Sequence, residues 1–482
     1  MMRRAHLSLT FAVALGLPAC EASNGDENET DAPATTTGED GSGGTTPTTT
    51  SPSTTGPVDC IAGQETCACL ENNCIGTLEC VNDICVPGPE FDIPDDPIRV
   101  IAGLRVPIDS EILADEFSWA QTGGPNANVT GIDTQSPLVD VPAGASGGDV
   151  LTFTLTAIRN EVEVTADVTI EIVEANFEEG LPMIMDPEQL GTPNTVSFRG
   201  GQLWAVMDEG FVSWFDLDFD DKLGEEVAVH MGRHDIPGAP FGARMGQVPD
   251  RDDDIDVLLI ANAGNQALES LTLNGGNIET LSDETVDAEP LGAVRHLIQM
   301  DGEIYMTNGE GGQLLVWDPS PPNDDDGGGT TGGEPPIPAG TRVLLSDLVM
   351  PSAIITGPED GFLYLGVAGE VLRVPILETG EAGQPSVYLS FGDNADPNLI
   401  VDGLQFDRAN NLYVGVPLED RLVVARYAAG EETEVIRDID TAGADFSDFG
   451  GLRFGDDDFG GATLYYGNAG GRVGRVFVGL GN

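Results

Sequence analysis

The chain is poor in positive charge. Of its 482 residues only 20 are Lys or Arg, against 82 Asp or Glu, so the formal net charge is −62. Lys222 is the single lysine. So acidic a surface repels a phosphate backbone, which argues against a nucleic-acid binder, and it equally disfavours a basic patch on anionic lipid. No cysteine follows Cys85, so everything C-terminal of it must fold without disulfides. The apolar stretch from Leu7 to Leu17 is shorter than the ~20 residues a membrane-spanning helix needs. No G-x-S-x-G elbow, phosphate loop or dinucleotide fingerprint stands in a strand–turn–helix context. Aromatic residues are also few, at 6 %. What remains is 40 % hydrophobic residues and 63 glycines, the composition of a β-rich, turn-rich protein diluted by polar linkers.

The N-terminus reads as an export address. Met1-Met2-Arg3-Arg4 is a positive n-region, and the stretch after it has the length of a signal h-region, so residues 1–19 are expected to be a signal peptide. They end in Leu17-Pro18-Ala19-Cys20, which resembles the lipobox of bacterial lipoproteins. The resemblance implies acylation of Cys20 and attachment to a lipid bilayer. Residues 20–58 are mostly Thr, Ser, Gly, Pro and acidic residues, too polar to offset the entropy of ordering, and are expected to form a disordered tether. Such a flexible chain spans roughly 35 Å r.m.s.. Glu21 stands where an aspartate retains some lipoproteins in the inner membrane, so the expected location is the outer membrane or cell surface, with the periplasmic face as an alternative.

Cys60, Cys67, Cys69, Cys74, Cys80 and Cys85 form an even, dense cluster in residues 59–88. In an exported chain this predicts a small disulfide module, because so short a segment builds no core of its own. Zinc is the competing reading, weakened by the absence of a nearby histidine and of paired C-x2-C spacing.

Residues 95–174 alternate at period two, as in Leu151, Phe153, Leu155 and in Val164, Val168, Ile170, Ile172, with glycine-rich turns between runs. That pattern predicts a small β-sandwich. Within it, Phe117-Ser118-Trp119-Ala120-Gln121-Thr122-Gly123-Gly124-Pro125 resembles the W-x-Q-x-x-G-P signature of polycystic-kidney-disease (PKD) and related immunoglobulin-like domains. The resemblance implies a spacer or adhesion module with Trp119 as its core plug.

From residue 180 to 482 one unit recurs: strand, turn, then a second strand carrying a bulky apolar pair. The pairs are Leu203-Trp204, Leu258-Leu259, Ile304-Tyr305, Leu363-Tyr364, Leu412-Tyr413 and Leu464-Tyr465, at intervals of 55, 46, 59, 49 and 52 residues. A period near 50 predicts a six-bladed β-propeller. The longest interval holds a Pro/Asp/Gly/Thr-rich insertion at about 320–340, expected to be a disordered surface loop. Leu181–Met185 is expected to complete the sixth blade, leaving no sheet edge open. The fold class is thus all-β: tether, disulfide-rich module, sandwich and propeller.

Val401-Asp402-Gly403-Leu404-Gln405-Phe406-Asp407 with Asn411-Leu412-Tyr413-Val414 resembles the P-D-G-L-x-x-D…G-N-L-Y-V blade of the gluconolactonase, senescence-marker-protein and luciferin-regenerating-enzyme family. Gly450-Gly451-Leu452-Arg453-Phe454 with Thr463-Leu464-Tyr465 is similar to the following blade. The resemblance implies a divalent cation at the channel mouth, held by oxygen ligands, that polarises a lactone and activates water. Asp402 falls at the family's aspartate ligand, Ser352 at its asparagine, and Asn194 near its glutamate. Arg295 faces the same mouth and opposes a cation there, since like charges ~4 Å apart repel by about 4 kcal/mol at an effective dielectric of 20.

The expected function is therefore a non-catalytic surface lipoprotein. Asn194, Arg295, Ser352 and Asp402 would form a polar ring for a glycan, peptide or small polar molecule, and no cofactor would be needed. The alternative is a metal-dependent lactonase or related hydrolase with Asp402 as ligand to calcium or another divalent cation. A structural reading also stands, in which Asp402 caps a strand turn and pairs with Arg295. Asp250, Asp252, Asp254 and Asp256 resemble aspartate-rich calcium loops before strands, without the turn glycine. Asp216, Asp218 and Asp220 read as a solvated turn, because Asp221 replaces the EF-hand glycine. His230 and His234, four apart but not on a helix, are not expected to bind metal. The chain is expected to be monomeric.

Overall fold

The structure is a computed structural model. Its described residues lie between 78 and 480, with interruptions at 83, 88–89, 93–95, 109–110, 175–176, 185–190, 221–224, 249–255, 274, 320–339, 392–398, 417–420, 427–433, 441–450, 457–458, 460 and 469–471. The signal peptide, Cys20, the tether, Cys60, Cys67, Cys69, Cys74, the 320–339 insertion and Asp250, Asp252 and Asp254 therefore lie outside the described residues. Among those described, regular structure is all strand apart from one residue of 3-10 turn at Phe459, and no helix is long and apolar enough to cross a membrane.

Leu78–Val81 and Ile84–Pro87 form a hairpin in which Cys80 and Cys85 face each other, and both cysteines are disulfide-bonded. Two sheets follow. Ile98–Ile101, Val162–Val173, Val150–Arg159 and Glu116–Gly123 form the larger, while Arg105–Pro107, Leu138–Asp140 and Asn128–Thr130 form the smaller. Leu151, Phe153, Leu155 and Ala157 alternate inward along one strand, as half-buried antiparallel strands require. Trp119 is buried among them and donates from Nε1 to the Thr134 carbonyl, 3.0 Å. Gln121 shapes the next loop: its amide donates to the Gly123 and Pro125 carbonyls (3.0 and 2.6 Å) and accepts from Ala127 N (3.0 Å).

The rest is a succession of four-stranded antiparallel sets. The first is Pro193–Arg199, Gln202–Met207, Phe211–Asp220 and Glu225–Asp235. The next four begin with Pro240–Gln247, Val294–Met300, Ile354–Thr356 and Gly403–Phe406. The sixth is Leu452–Phe454, Thr463–Asn468 and Arg472–Phe477, to which Phe177–Ile184 adds as a fourth, antiparallel strand. That strand also pairs in parallel with the last strand of the first set, at Met183↔Ala228 and Ile184↔Val229, so the two ends of the succession are stitched into one eight-stranded sheet. First strands of successive sets touch, and that of the sixth touches that of the first, which closes a ring.

Each bulky pair noted above lies in a second strand. Asn411–Val416 is buried at every position, because a second strand is covered on both faces by neighbouring sheets, and after Asn411 its sequence is accordingly a continuous apolar run. Glycine is required where sheets meet most closely. A Cβ at Gly467 would lie 2.1 Å from the Pro193 carbonyl, and one at Gly366 would lie 2.4 Å from that of Val401.

The sandwich and the ring share one core. Val100, Ile101, Phe153 and Ile170 cluster with Tyr413, Leu452, Tyr466 and Val478. Asn411 seals the junction by accepting from Arg105 N (3.1 Å) and donating to Arg105 O (3.0 Å), while Arg426 donates to Gly103 O (2.8 Å).

Two readings need correction. Asp216, Asp218 and Asp220 belong to the strand Phe211–Asp220 rather than to a turn, because Val212, Phe215 and Leu217 pair along the whole length of the following strand. The strand that completes the sixth set starts at Phe177, four residues before Leu181, because pairing with Arg472–Phe477 extends past a register shift at Glu178/Leu181.

Candidate functional site

The first strands begin at one end of the ring, with Asn194, Phe241, Arg295, Ser352, Asp402 and Gly451 at or just before their starts. Three of these strands enter with a register shift, at Pro193/Thr195, Pro240/Gly242 and Val294/Leu297. Such a bulge inserts an unpaired residue and re-aims side chains locally. The residues that meet across the axis are therefore not simply those a uniform repeat would place there.

Asp402, from the fifth set, reaches His296, from the third: Oδ1 lies 3.3 Å from Nε2, and both residues are buried. Neither atom makes an aligned hydrogen bond, and neither does the buried Oγ1 of Thr195 from the first set. Gly451 of the sixth set holds these groups together. Its φ is +98°, and a Cβ there would stand 3.2 Å from His296 Cε1 and 3.3 Å from Thr195 Oγ1. Phe241 closes the other side, its ring meeting the imidazole edge-on at 5.6 Å between centroids. Arg295 lies over the same phenyl ring, 5.4 Å from its centroid, and fills the space left open by Gly309, where a Cβ would be 2.5 Å from its Nε.

The four residues read from sequence thus have different fates. Asp402 is at the axis with His296 as partner, and Arg295 is at the rim on Phe241. Ser352 is fully buried; its Oγ donates to Val401 O (2.5 Å) and its carbonyl accepts from Thr307 Oγ1 (2.8 Å), a strap between the fourth set and its neighbours. Asn194 Nδ2 donates to Pro240 O (3.2 Å) and Asp208 Oδ1 (3.4 Å), tying the first set to the second. Sequence reasoning missed Thr195 and His296 as site residues. The available signal was that each directly follows a residue at the start of a first strand.

A hard divalent cation takes six or more oxygen ligands, usually with several carboxylates. Here Asp402 faces a histidine, the Ser352 hydroxyl is committed to a carbonyl, and the Asn194 amide nitrogen donates to two acceptors, leaving its Oδ1 as one neutral oxygen beside a single carboxylate. Among the described residues no three His, Cys, Asp or Glu side chains converge. This donor set does not fit such a cation. Asp256 opens the strand Asp256–Asn262. His230 and His234 pack on aromatic rings, His230 edge-on to Phe215 and His234 stacked on Trp214.

What the mouth offers is hydrogen-bonding capacity. A buried polar atom without a hydrogen bond costs about 1–3 kcal/mol, and Thr195 Oγ1, His296 Nε2 and Asp402 Oδ1 are three such atoms gathered at one end of the ring.

No family model and no curated protein matches the chain. Among solved structures it is similar to an auxiliary nutrient binding protein from Bacteroides thetaiotaomicron, with 14 % identity over 80 % of this chain and 98 % of that one, at a TM-score of 0.38. A luciferin-regenerating enzyme is similar at 12 % identity over 64 % and 97 %, TM-score 0.44. Regucalcin, a calcium-binding protein from Agrobacterium tumefaciens, is similar at 13 % identity over 64 % and 95 %, TM-score 0.43. At such identities and scores these similarities assign no residue role here.

Proposed function

We propose that the chain is an exported lipoprotein of the outer membrane or cell surface whose six-bladed β-propeller binds a small polar ligand at one mouth of its channel, without metal and without covalent chemistry. In this reading Cys20 carries the lipid, residues 59–88 form a disulfide module, and the sandwich is a PKD-like spacer. The ligand, whether a glycan, a peptide or a free small molecule, presents a hydroxyl or amide able both to donate and to accept. One observation carries the reading: Thr195 Oγ1, His296 Nε2 and Asp402 Oδ1 are buried at the axis without a hydrogen bond, His296 and Asp402 merely facing each other at 3.3 Å. The rim fits it too, because Arg295 on Phe241 gives an apolar face and a cation beside the polar pit.

The test is a thermal-shift series on the mature chain with neutral sugars and short peptides, repeated with Ca²⁺, Zn²⁺ and chelator. Stabilisation by a polar ligand is expected to survive chelation and to vanish in Asp402→Asn and in His296→Ala. A stoichiometric divalent ion whose removal lowers Tm in the wild type but not in Asp402→Ala would overturn it. That result would support the second reading, a metal-dependent lactonase or hydrolase, which the position of the Asp402 carboxylate at the mouth favours. Metal-dependent lactone hydrolysis lost in Asp402→Ala would establish it.

A further inference from the structure

The first strands run away from the mouth, and side chains two residues further along point into the channel again, about 7 Å deeper. On that lower tier the chemistry changes. Arg244 follows Gly242, Arg453 follows Gly451, Gln405 follows Gly403 and Ser197 follows Thr195. These four side chains line a cavity of about 450 Å³ together with Phe198, Met245 and Phe454, and Asp456 is the carboxylate among the described lining residues.

Both arginines are half-buried along the cavity wall, and each has a buried nitrogen that is unsatisfied. Arg244 has no side-chain hydrogen bond or ion pair within the described structure, and its buried Nη1 is without a partner. Arg453 donates from Nη1 to its neighbour's carbonyl, Leu452 O at 2.7 Å, and its buried Nε is unpartnered. Gln405 Oε1 is also unpartnered, and its amide nitrogen is spent on Phe406 O at 3.2 Å. Burial lowers Arg244 to about 10, and burial together with the neighbouring Arg244 charge lowers Arg453 to about 9, so both remain charged at neutral pH. Two like charges thus sit side by side, each with a buried unpartnered nitrogen, in a protein that carries few cations, an arrangement that costs stability unless an anion joins them.

We propose that the lower channel is a binding site for a small organic anion, its carboxylate or phosphate group held by Arg244 and Arg453 and its apolar body resting on Phe198, Met245 and Phe454. Guanidinium groups recognise both oxyanions through paired N–H donors. The cavity falls in the ~300–1,000 Å³ range of small-molecule sites, with room beyond the oxyanion itself for that body. This inference does not rest on the reading of the mouth, which uses different side chains.

The experiment is calorimetric titration and thermal shift of the mature chain with inorganic phosphate and, separately, with succinate. Ionic strength is held constant with chloride so that screening of the acidic surface cannot imitate binding. Saturable binding of either anion is expected, and whichever binds identifies the oxyanion chemistry. Arg244→Gln and Arg453→Gln should each weaken it by about tenfold or more, and Arg453→Gln should raise Tm in the absence of added anion by removing the like-charge contact. Ser197→Asp, which adds a carboxylate on the strand between those bearing the arginines, should also abolish binding and keeps the test open if an arginine variant does not fold. Failure of both anions to bind, or binding unchanged in all three variants, would overturn the proposal.

Discussion

Asn411 tests whether sandwich and ring are one folding unit. Its side chain is fully buried and makes three hydrogen bonds: Oδ1 accepts from Arg105 N at 3.1 Å, and Nδ2 donates to Arg105 O at 3.0 Å and to Asp407 Oδ2 at 2.7 Å. Replacement by alanine removes two bonds worth about 1 kcal/mol each and one to a carboxylate worth about 1.5–3, so a loss of about 4 kcal/mol is expected. Because the two parts also share one hydrophobic cluster, the loss should be felt throughout. Urea unfolding of Asn411→Ala should show a lower midpoint with unchanged slope. Hydrogen exchange should speed up together in the sandwich strand Val150–Arg159 and the ring strand Asn411–Val416. Asn411→Asp keeps the acceptor but turns the donor into a second carboxylate beside Asp407, so it should be the weaker of the two variants at neutral pH and recover in acid. A destabilisation below about 1 kcal/mol, or a sandwich that loses protection while the ring keeps it, would refute the reasoning.

Asp407 gives a pH signature of its own. Burial raises its carboxyl to about 6, although Ala409 N, Asn411 N, Asn411 Nδ2 and Tyr413 OH all donate to it and pull the other way. The folded chain therefore holds this proton more tightly than the unfolded one. The resulting stabilisation is complete below the ordinary carboxylate value and is lost as pH rises through about 6, some 3 kcal/mol in all. The difference in urea stability between wild type and Asp407→Asn, measured from pH 4 to 7, should change by about that amount, and a flat difference would count against it. At the ring closure, Gly467→Ala drives a methyl to 2.1 Å from the Pro193 carbonyl. It should cost about 1–3 kcal/mol and lower Tm, whereas an unmoved Tm would mean that the first and sixth sets are not in contact there.

The second strands were legible because burial on both faces leaves their residues almost no choice: Leu412, Tyr413 and Val414 have no exposed side on which a polar residue is tolerated. The sandwich was legible for the opposite reason, one wet face and one dry, which writes Leu151, Phe153 and Leu155 at period two. The mouth was less legible. The family pattern drew attention to residues at the start of each first strand, but bulges at Pro193/Thr195 and Val294/Leu297 alter which side chains look inward. Thr195 and His296 occupy the axis as a result, and the pairing of His296 with Asp402 joins residues more than a hundred positions apart through ring closure, which no local pattern encodes. The lower tier left a plainer trace. Gly242-Ala243-Arg244, Gly403-Leu404-Gln405 and Gly451-Leu452-Arg453 repeat one rule, glycine then a long polar side chain two residues on, in a sequence with few cations to place.

That rule has a structural reason. At the upper tier glycine is what the close approach of neighbouring strands permits: a Cβ at Gly242 would lie 2.1 Å from the Arg295 carbonyl. A narrow upper tier leaves space for a few polar atoms, whereas the lower tier is wide enough for arginines and a cavity. The strand Gly403–Phe406 makes the orientation explicit. It starts beside Asp402 at the mouth, places Gln405 in the lower cavity, and ends at the Asp407–Asn411 turn that grips Arg105 of the sandwich. The mouth therefore faces away from the sandwich, and His296 and Asp402 lie apart from the junction. The arginine tier lies on the sandwich side of the same channel. Two ends of one channel thus carry different chemistry, a hydrogen-bonding pit around Asp402 and His296 at one and an arginine-lined cavity at the other, and the same set of first strands determines both.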